Sequence, residues 1–365
     1  MSFLVFHGSL AQADVPGVRR PDAGSLLNQA TPPGLEPTLP ASVLPDLLDE
    51  ASGLAGKDGA KIKVSRFVID GAGELPEDRL LAQVADLIGQ ELDLGGLRKA
   101  AARITKYYRE NGYFLARAYL PTQDIADGVV RIAVVEGRYD GVEVGASPRL
   151  RQEHAQGILD AHQVAEGQAV ERAALERSLI LLEQRSGAPV RAVMQPGATL
   201  GTSHMFIEAP SGPPVSGYLG ADNYGNRFSG QNRATAQLNL NSPLGIGDLA
   251  SVWLMGTSES DAVFAAYQVP VGYQGLTLGV SYSQFNYQLC CDFAPLEQQG
   301  YAKVYGVQAR YPLVLTQRAI TNIGLSAEHK HLNDQSVVGE LDDKYANVVT
   351  LSVDGLAAVD GGQNR

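Results

Sequence analysis

The sequence predicts two small α+β modules followed by an antiparallel transmembrane β-barrel, of which the chain holds about eight strands. From residue 214 onward, short stretches alternate apolar and polar residues with a period of two, which indicates strands. In residues 234–241 one face carries Ala, Ala, Leu and Leu, and the other carries Thr, Gln, Asn and Asn. The polar face is small and the apolar face is almost uncharged. This contrast is expected of a sheet that contacts lipid on its outside and water on its inside.

The connections between these predicted strands alternate between tight and roomy. The tight ones are 243–248, 272–275 and the turn around 316–317, and the roomy ones are 290–300 and 333–343. Outer-membrane barrels have short turns at one end and longer loops at the other. A soluble all-β domain with a polar core cavity is the alternative for this segment. Six aromatic residues are predicted to form an interfacial girdle at the strand ends: Tyr282, Phe285, Tyr287, Tyr301, Tyr305 and Tyr311.

Composition narrows the class of protein. The net charge of −11 argues against nucleic-acid binding, which needs a basic face. No apolar run is long enough for a membrane helix. The adjacent cysteines Cys290 and Cys291 are compatible with a strained disulfide, a metal site or no role, and they offer no disulfide framework.

Enzyme motifs are missing from the sequence. There is no nucleophile elbow and no phosphate-binding loop, so we expect no enzymatic activity, no cofactor and no resident metal. His329 and His331 fall on one side of a predicted strand, where an interfacial position is favoured over a metal pair.

The N-terminal region predicts export. Residues 1–13 are typical of the end of a signal peptide, with Ala11 and Ala13 as a small-x-small cleavage site. A ragged N-terminus with an accidental Ala-x-Ala is the alternative. Residues 14–62 are rich in Pro and Gly and read as a mobile linker that contains one short helix signal at 22–29.

Two related modules are predicted between the linker and the barrel. Residues 63–140 read as a compact β-α-α-β-β unit, and residues 141–210 repeat it in a looser form. The first unit has predicted strands at 64–69, 113–120 and 129–136 and helices at 76–88 and 94–111. The second has strands at 142–144, 190–195 and 204–208 and helices at 149–161 and 169–186.

Four stretches, in the right order, resemble one family. They are residues 112–123 (GYFLARAYLPTQ), 134–137 (VVEG), 221–230 (ADNYGNRFSG) and the block that runs from Leu296 to Leu313. The chain resembles the outer-membrane transporters of two-partner secretion (TpsB), the haemolysin secretion/activation proteins of ShlB, FhaC and HecB type. The resemblance covers nearly the whole chain.

The resemblance implies a plug helix at 22–30, a linker, two periplasmic POTRA modules at 63–140 (ShlB-type) and 141–210, and a barrel of about sixteen strands. Residues 214–365 account for about eight of these strands, so the chain is expected to be truncated within the barrel. The family's Val-Arg-Gly-Tyr/Phe tetrad does not occur. A half barrel with two unpaired edges in lipid is expected to be inactive by itself.

The implied function is a bacterial outer-membrane pore that recognises an unfolded exoprotein, a TpsA-type haemolysin or adhesin, and secretes it by the type Vb route. The implied partners are that exoprotein and outer-membrane lipid, with no nucleic acid and no small-molecule substrate. Two other readings stay open. One is an outer-membrane protein assembly factor of BamA/TamA type, and the other is a passive porin or adhesin.

Client recognition is expected at the edge strand of the first POTRA module. An extended client can pair with such an edge through main-chain hydrogen bonds while its side chains enter the groove between strand and helix. The candidate contact residues are Tyr113, Leu115, Arg117 and Tyr119 on the strand and Tyr108 on the helix.

Overall fold

The computed structural model describes residues 21–30, 39–41 and 61–358. The predicted signal peptide and most of the predicted linker lie outside these residues. Helix α1 (Ala23–Gln29) confirms the short helix signal. It begins where Asp22 accepts a hydrogen bond from the N–H of Ser25 at 2.7 Å, in a capping box.

The first module is a three-stranded sheet covered by one long helix. Its strands follow the order β2-β5-β4, with β2 parallel to β5 and β4 antiparallel to it. A single core forms where apolar side chains of the long helix meet the inner face of the sheet. The elements are β1 (Ile62–Lys63), β2 (Arg66–Asp70), α2 (Glu77–Ala82), β3 (Glu91–Leu92), α3 (Leu94–Glu110), β4 (Arg117–Tyr119) and β5 (Val129–Val135).

Two helices of the first module differ in how well the sequence predicts them. Helix α3 begins and ends close to the predicted bounds. Asp93 caps its first turn by accepting a hydrogen bond from the N–H of Gly96 at 2.7 Å. The predicted helix 76–88 is α2 followed by a separate 3-10 turn at Ala85–Leu87. Val84 leaves the helical conformation and buries its side chain completely, which divides the two.

The second module repeats the layout with strand order β6-β8-β7. Strand β6 begins at Arg138, so it spans the predicted boundary between residues 140 and 141. The two helices pack on each other and on the sheet around a second core. The elements are β6 (Arg138–Val144), α4 (Gln152–Ala161), α5 (Arg172–Ser186), β7 (Arg191–Pro196) and β8 (Thr202–Glu208).

Eight consecutive antiparallel strands form one large sheet, as predicted. Each strand pairs with the next, and β9 and β16 lie at the two edges of the open sheet within the described residues. Among these residues, no helix has the length and apolar character needed to cross a membrane. The strands are β9 (Val215–Asp222), β10 (Arg233–Asn241), β11 (Leu249–Gly256), β12 (Ser260–Pro270), β13 (Thr277–Gln288), β14 (Gln299–Leu315), β15 (Ala319–Ser336) and β16 (Gly339–Ala357).

The predicted alternation of tight and roomy connections is only partly correct. Between β15 and β16, the predicted loop 333–343 is a continuation of both strands that ends in a two-residue turn at 337–338. The connection between β11 and β12 is also tight, at 257–259. Polar and charged residues suggested a loop at 333–343, but paired strands that are exposed to water accept the same residues.

The two faces of the sheet are chemically distinct. On β10, Gln237 donates to Asn239 at 3.2 Å, and Asn241 donates to Ser216 of β9 at 3.2 Å, so the polar side chains bond to one another. The opposite face exposes apolar side chains on most of the strands, which include Leu238, Val280, Val307, Leu325 and Val349. The period-two contrast in the sequence therefore corresponds to a polar face and an apolar face.

The predicted aromatic girdle is wrong for two of its members. Phe285 and Tyr287 are 2% and 4% exposed, and they lie on the polar side of the sheet, where α1 packs against them. Tyr287 donates its hydroxyl hydrogen to Asp334 at 2.5 Å, and the N–H of Ala23 donates to the same carboxylate at 3.1 Å. A period of two identifies residues that share a face, but it does not show where a docked helix will cover that face.

The second module is fixed to one end of the sheet, called here the module end. The connections 242–248, 271–276 and 316–318 meet there. Arg177 of α5 donates to the carbonyl oxygens of Gln274 and Pro312, each at 3.0 Å. Leu315 and Ile320, from the sheet, are buried in the core of the second module.

Candidate functional site

The candidate site is the exposed edge of the first module at β4. This strand pairs only with β5, in a register that sets Arg117 opposite Val135, Ala118 opposite Val134 and Tyr119 opposite Ala133. The side chain of Ala118 faces the core, whereas Arg117 and Tyr119 are exposed on the other face of the sheet.

Strand β4 is much shorter than the predicted strand 113–120. Residues 113–116 form a turn, in which the N–H of Ala116 donates to the carbonyl of Tyr113 at 3.0 Å. This turn is held by contacts to the second module. Arg172 lies over the ring of Phe114 with 5.2 Å between guanidinium carbon and ring centroid, and its N–H donates to the carbonyl of Gly112 at 3.0 Å.

Leu115 belongs to this contact between modules. A Cβ atom at Gly137 would lie 2.5 Å from the Cβ of Leu115, so only glycine allows so close an approach. Gly137 also has a φ of +78°, which disfavours other residues. The prediction that Leu115 lies on a strand face is therefore wrong, because tertiary packing at the module junction overrides the local strand pattern.

Tyr108 is a core residue of the first module. Its side chain is 0% exposed, and its hydroxyl donates to Oε1 of Glu136 at 3.0 Å. Burial, together with the charge of Glu136, raises the pKa of Tyr108 well above its usual value. Tyr113 is partly buried against the same core, with its ring centroid 6.1 Å from that of Tyr108. These two aromatic residues therefore pack in and against the core beneath the β4 edge.

Glu136 ties the first module to the start of the second. Its carboxylate accepts hydrogen bonds from the N–H groups of Gly73 (2.6 Å) and Glu74 (2.7 Å) and forms an ion pair with Arg138 at 2.9 Å. Burial alone would raise the pKa of Glu136. The hydrogen bonds from the Glu74 and Gly73 N–H groups, from Tyr108 and from Arg138 outweigh burial and hold that pKa below its usual value.

Two polar residues that hydrogen-bond to the backbone of β4 and β5 were not predicted from the sequence. Thr105 of α3 accepts a hydrogen bond through Oγ1 from the N–H of Ala118 at 2.9 Å. Since this N–H points away from β5, Thr105 occupies a group that an added strand would use. A threonine in a long helix gives no sequence signal for this role.

Gln123 is the second missed residue. Its side-chain amide donates to the carbonyl of Arg131 at 2.7 Å and accepts from the N–H of Arg131 at 2.8 Å. Proline 121 has no N–H and cannot continue the ladder, so the amide of Gln123 supplies the donor and acceptor of a strand residue. The order Pro, any residue, Gln after a strand is the signal that could have revealed it.

Metal and thiol sites find no support at the candidate positions. Within residues 21–30, 39–41 and 61–358, no group of three or more His, Cys, Asp or Glu side chains could hold a metal ion. His331 bonds to Asp343 at 2.6 Å, and His329 bonds to Asn347 at 2.8 Å. Both cysteines are free thiols.

Two family models match parts of the chain. Residues 62–137 match the POTRA domain of ShlB type, and residues 201–342 match the haemolysin secretion/activation protein ShlB/FhaC/HecB. The first match covers the first module, and the second match runs from β8 into β16. Over these two ranges the chain is similar to that family.

Relatives and solved structures agree. The chain is 24% identical over 285 residues to the heme/hemopexin transporter protein HuxB of Haemophilus influenzae, covering 77% of this chain and 50% of HuxB. It is 28% identical over 267 residues to the outer membrane transporter CdiB of Escherichia coli, covering 71% of this chain and 42% of CdiB. The chain thus spans about half the length of the curated relatives it matches.

The solved structure of CdiB from Escherichia coli aligns with a TM-score of 0.70 and 22% identity, over 88% of this chain and 60% of that one. CdiB from Acinetobacter baumannii aligns with a TM-score of 0.65 and 16% identity, over 92% of this chain and 65% of that one. These alignments confirm the predicted fold class of POTRA modules followed by an antiparallel membrane-barrel sheet.

Proposed function

We propose that this protein secretes an unfolded partner exoprotein across the bacterial outer membrane by two-partner secretion. The observation that carries the proposal is the junction of POTRA-type modules with a two-faced sheet at its module end. Relatives named as outer-membrane, heme/hemopexin and hemolysin transporters support it. The POTRA modules lie in the periplasm, and the apolar face of the sheet contacts lipid.

In this proposal the polar face of the sheet lines the path of the client. Its hydroxyl and amide side chains bond among themselves, and charged side chains on this face are ion-paired, as Lys330 is with Glu328 at 2.9 Å. An unfolded chain can slide along such a surface because no single contact holds it strongly. Helix α1 covers part of this face through Phe285 and Tyr287, so a client on that path meets α1.

Recognition is proposed at the edge of the first module. Arg117 and Tyr119 present a cation and an aromatic ring on the exposed side of β4, and Arg131 of β5 continues that surface beside Asp70 at 3.3 Å. Main-chain pairing with a client is proposed to follow once Thr105 releases the N–H of Ala118. Tyr113 shapes the turn that precedes this edge.

The proposal is tested by deleting the gene in its host and comparing the proteins of the culture supernatant with those of the parent strain. Loss of one or a few large exported proteins, restored by the intact gene, is the expected result. Complementation with Arg117→Ser/Tyr119→Ser should lower the restored amount severalfold, whereas Val193→Ser, on the edge strand of the second module, should not.

Two results would overturn the proposal. A general fall in outer-membrane proteins with an unchanged supernatant would indicate an assembly factor. An unchanged supernatant with altered permeability to small solutes would indicate a porin.

A further inference from the structure

A polar cavity of about 550 Å³ lies at the module end of the sheet, between the second module and the connection from β10 to β11. One wall is formed by residues 146–152, which lead into α4, and the other by residues 242–245. The secretion path along the polar face does not involve it.

Backbone contacts hold the two walls of the cavity in place. The hydroxyl of Ser242 donates to the carbonyl of Arg149 at 2.7 Å, and the N–H of Arg151 donates to the carbonyl of Gly245 at 2.8 Å. Leu150, which is 3% exposed, forms a β-bridge with Ile246. The cavity is therefore a built feature of the junction rather than a gap between loosely packed loops.

The charged groups of the cavity wall are both cations. Arg149 and Arg151 line the cavity, and within the described residues neither forms an ion pair with a carboxylate. The guanidinium of Arg149 makes only a long hydrogen bond, 3.5 Å, to the carbonyl of Asn241. Two unpaired arginines are unexpected in a chain of net charge −11, because acidic partners are in excess. Glu153, in the first turn of α4, is exposed and is not part of the wall.

An apolar surface begins directly beside this basic cavity. Leu244, in the wall, is 51% exposed, and Leu238 and Leu240 continue from it along the apolar face of β10. A ligand that fits both parts has an anionic head and an apolar tail. Guanidinium groups match phosphate oxygens through paired hydrogen bonds, and long alkyl chains match exposed leucines.

We propose that Arg149 and Arg151 bind the phosphate of an anionic phospholipid from the inner leaflet of the outer membrane, with its acyl chains against Leu244, Leu240 and Leu238. The bound lipid links the second POTRA module to the membrane surface and fixes the module against the sheet. This inference rests on the membrane location given by the proposed function. It does not depend on any client.

The test is native mass spectrometry of the full protein in detergent, titrated with phosphatidylglycerol and, separately, with phosphatidylcholine. The wild-type protein should retain phosphatidylglycerol in preference to phosphatidylcholine. The variant Arg149→Gln/Arg151→Gln should lose this preference, with phosphatidylglycerol bound on the order of tenfold more weakly. Arg149→Lys/Arg151→Lys, which keeps the charge, should retain most of it.

The matched control is Arg79→Gln/Arg191→Gln, which removes the same charge from exposed positions away from the cavity. Equal phosphatidylglycerol binding by the wild type and the Arg149/Arg151 glutamine variant would overturn the proposal. So would equal losses in the variant and the control, or displacement of the lipid by inorganic phosphate alone. Preferential binding of an acidic peptide would assign the cavity to a protein segment instead. Because no client is present, each of these failures leaves the secretion proposal standing.

Discussion

The Oγ1 atom of Thr105 accepts a hydrogen bond from the N–H of Ala118 at 2.9 Å, so helix α3 occupies the outward edge of β4. The edge of a sheet is normally a row of unpaired groups that invites another strand. In this module one such group is already paired within the chain. In the proposed recognition, client pairing at this point would exchange one hydrogen bond for another, so the binding would be reversible.

Thr105→Val should expose the edge. Valine has the shape of threonine without the acceptor, so the N–H of Ala118 loses its partner and the module loses about 1–3 kcal/mol of unfolding free energy. Hydrogen–deuterium exchange should show faster exchange of the Ala118 amide. Thr122→Val, at an exposed position with no described side-chain bond, is the control and should leave that amide unchanged. Unaltered exchange at Ala118 in the Thr105 variant would show that the hydrogen bond to Thr105 does not protect this edge.

Gln123→Met should destabilise the first module, although residue 123 lies outside its helices and strands. Methionine keeps the length of the side chain but removes both hydrogen bonds to Arg131, which costs about 1–3 kcal/mol. Thermal unfolding should show the lower midpoint. Gln195→Met, on the exposed edge of β7, should have little effect, and equal midpoints for the two variants would contradict the role assigned to Gln123.

Acid should weaken the junction between the modules through Glu136. Its pKa is lower in the folded state than its usual value of 4.5, so its ionised form contributes stability above that value. That stability is lost as the pH falls through the lowered folded pKa. In Glu136→Gln, urea unfolding should show lower stability at pH 7 and a smaller loss on acidification. A pH dependence equal to that of the wild type would exclude Glu136 as its source.

Gly157→Ala should loosen the second module from the sheet. Alanine normally favours a helix over glycine by about 1 kcal/mol, so α4 itself should gain stability. However, a Cβ at Gly157 would lie 2.5 Å from the ring of Tyr273, which must then move. Hydrogen exchange in residues 271–276 should increase. Gly256→Ala, where a Cβ meets open space, is the control, and protection equal to wild type in the Gly157 variant would contradict this contact.

The sequence predicts local pattern well where one face of an element is uniform. The alternation in residues 234–241 identified β10 and its two faces correctly, because pairing within a sheet preserves a period of two. The stripe from Leu97 to Tyr108 likewise identified α3 and its buried side.

Failures of prediction occur where a distant contact decides the structure. Residues 113–116 have strand-like composition, yet Gly137 and Arg172 draw Leu115 and Phe114 into a turn. The hydrogen bonds of Thr105 and Gln123 depend on residues that come together only in the folded module. Such relationships have no periodic signature in the sequence.

The proposed path of the client runs along the polar face of the sheet. Neighbouring residues of β10 provide a matched pair, since Gln237 lies on the polar face and Leu238 is exposed on the apolar face. A photo-crosslinking amino acid is placed at one or the other position in secreting cells, and the crosslinked partners are identified by mass spectrometry. The exported protein should crosslink at position 237 and not at position 238. Crosslinks to that protein at position 238, or at neither position during active secretion, would contradict this path.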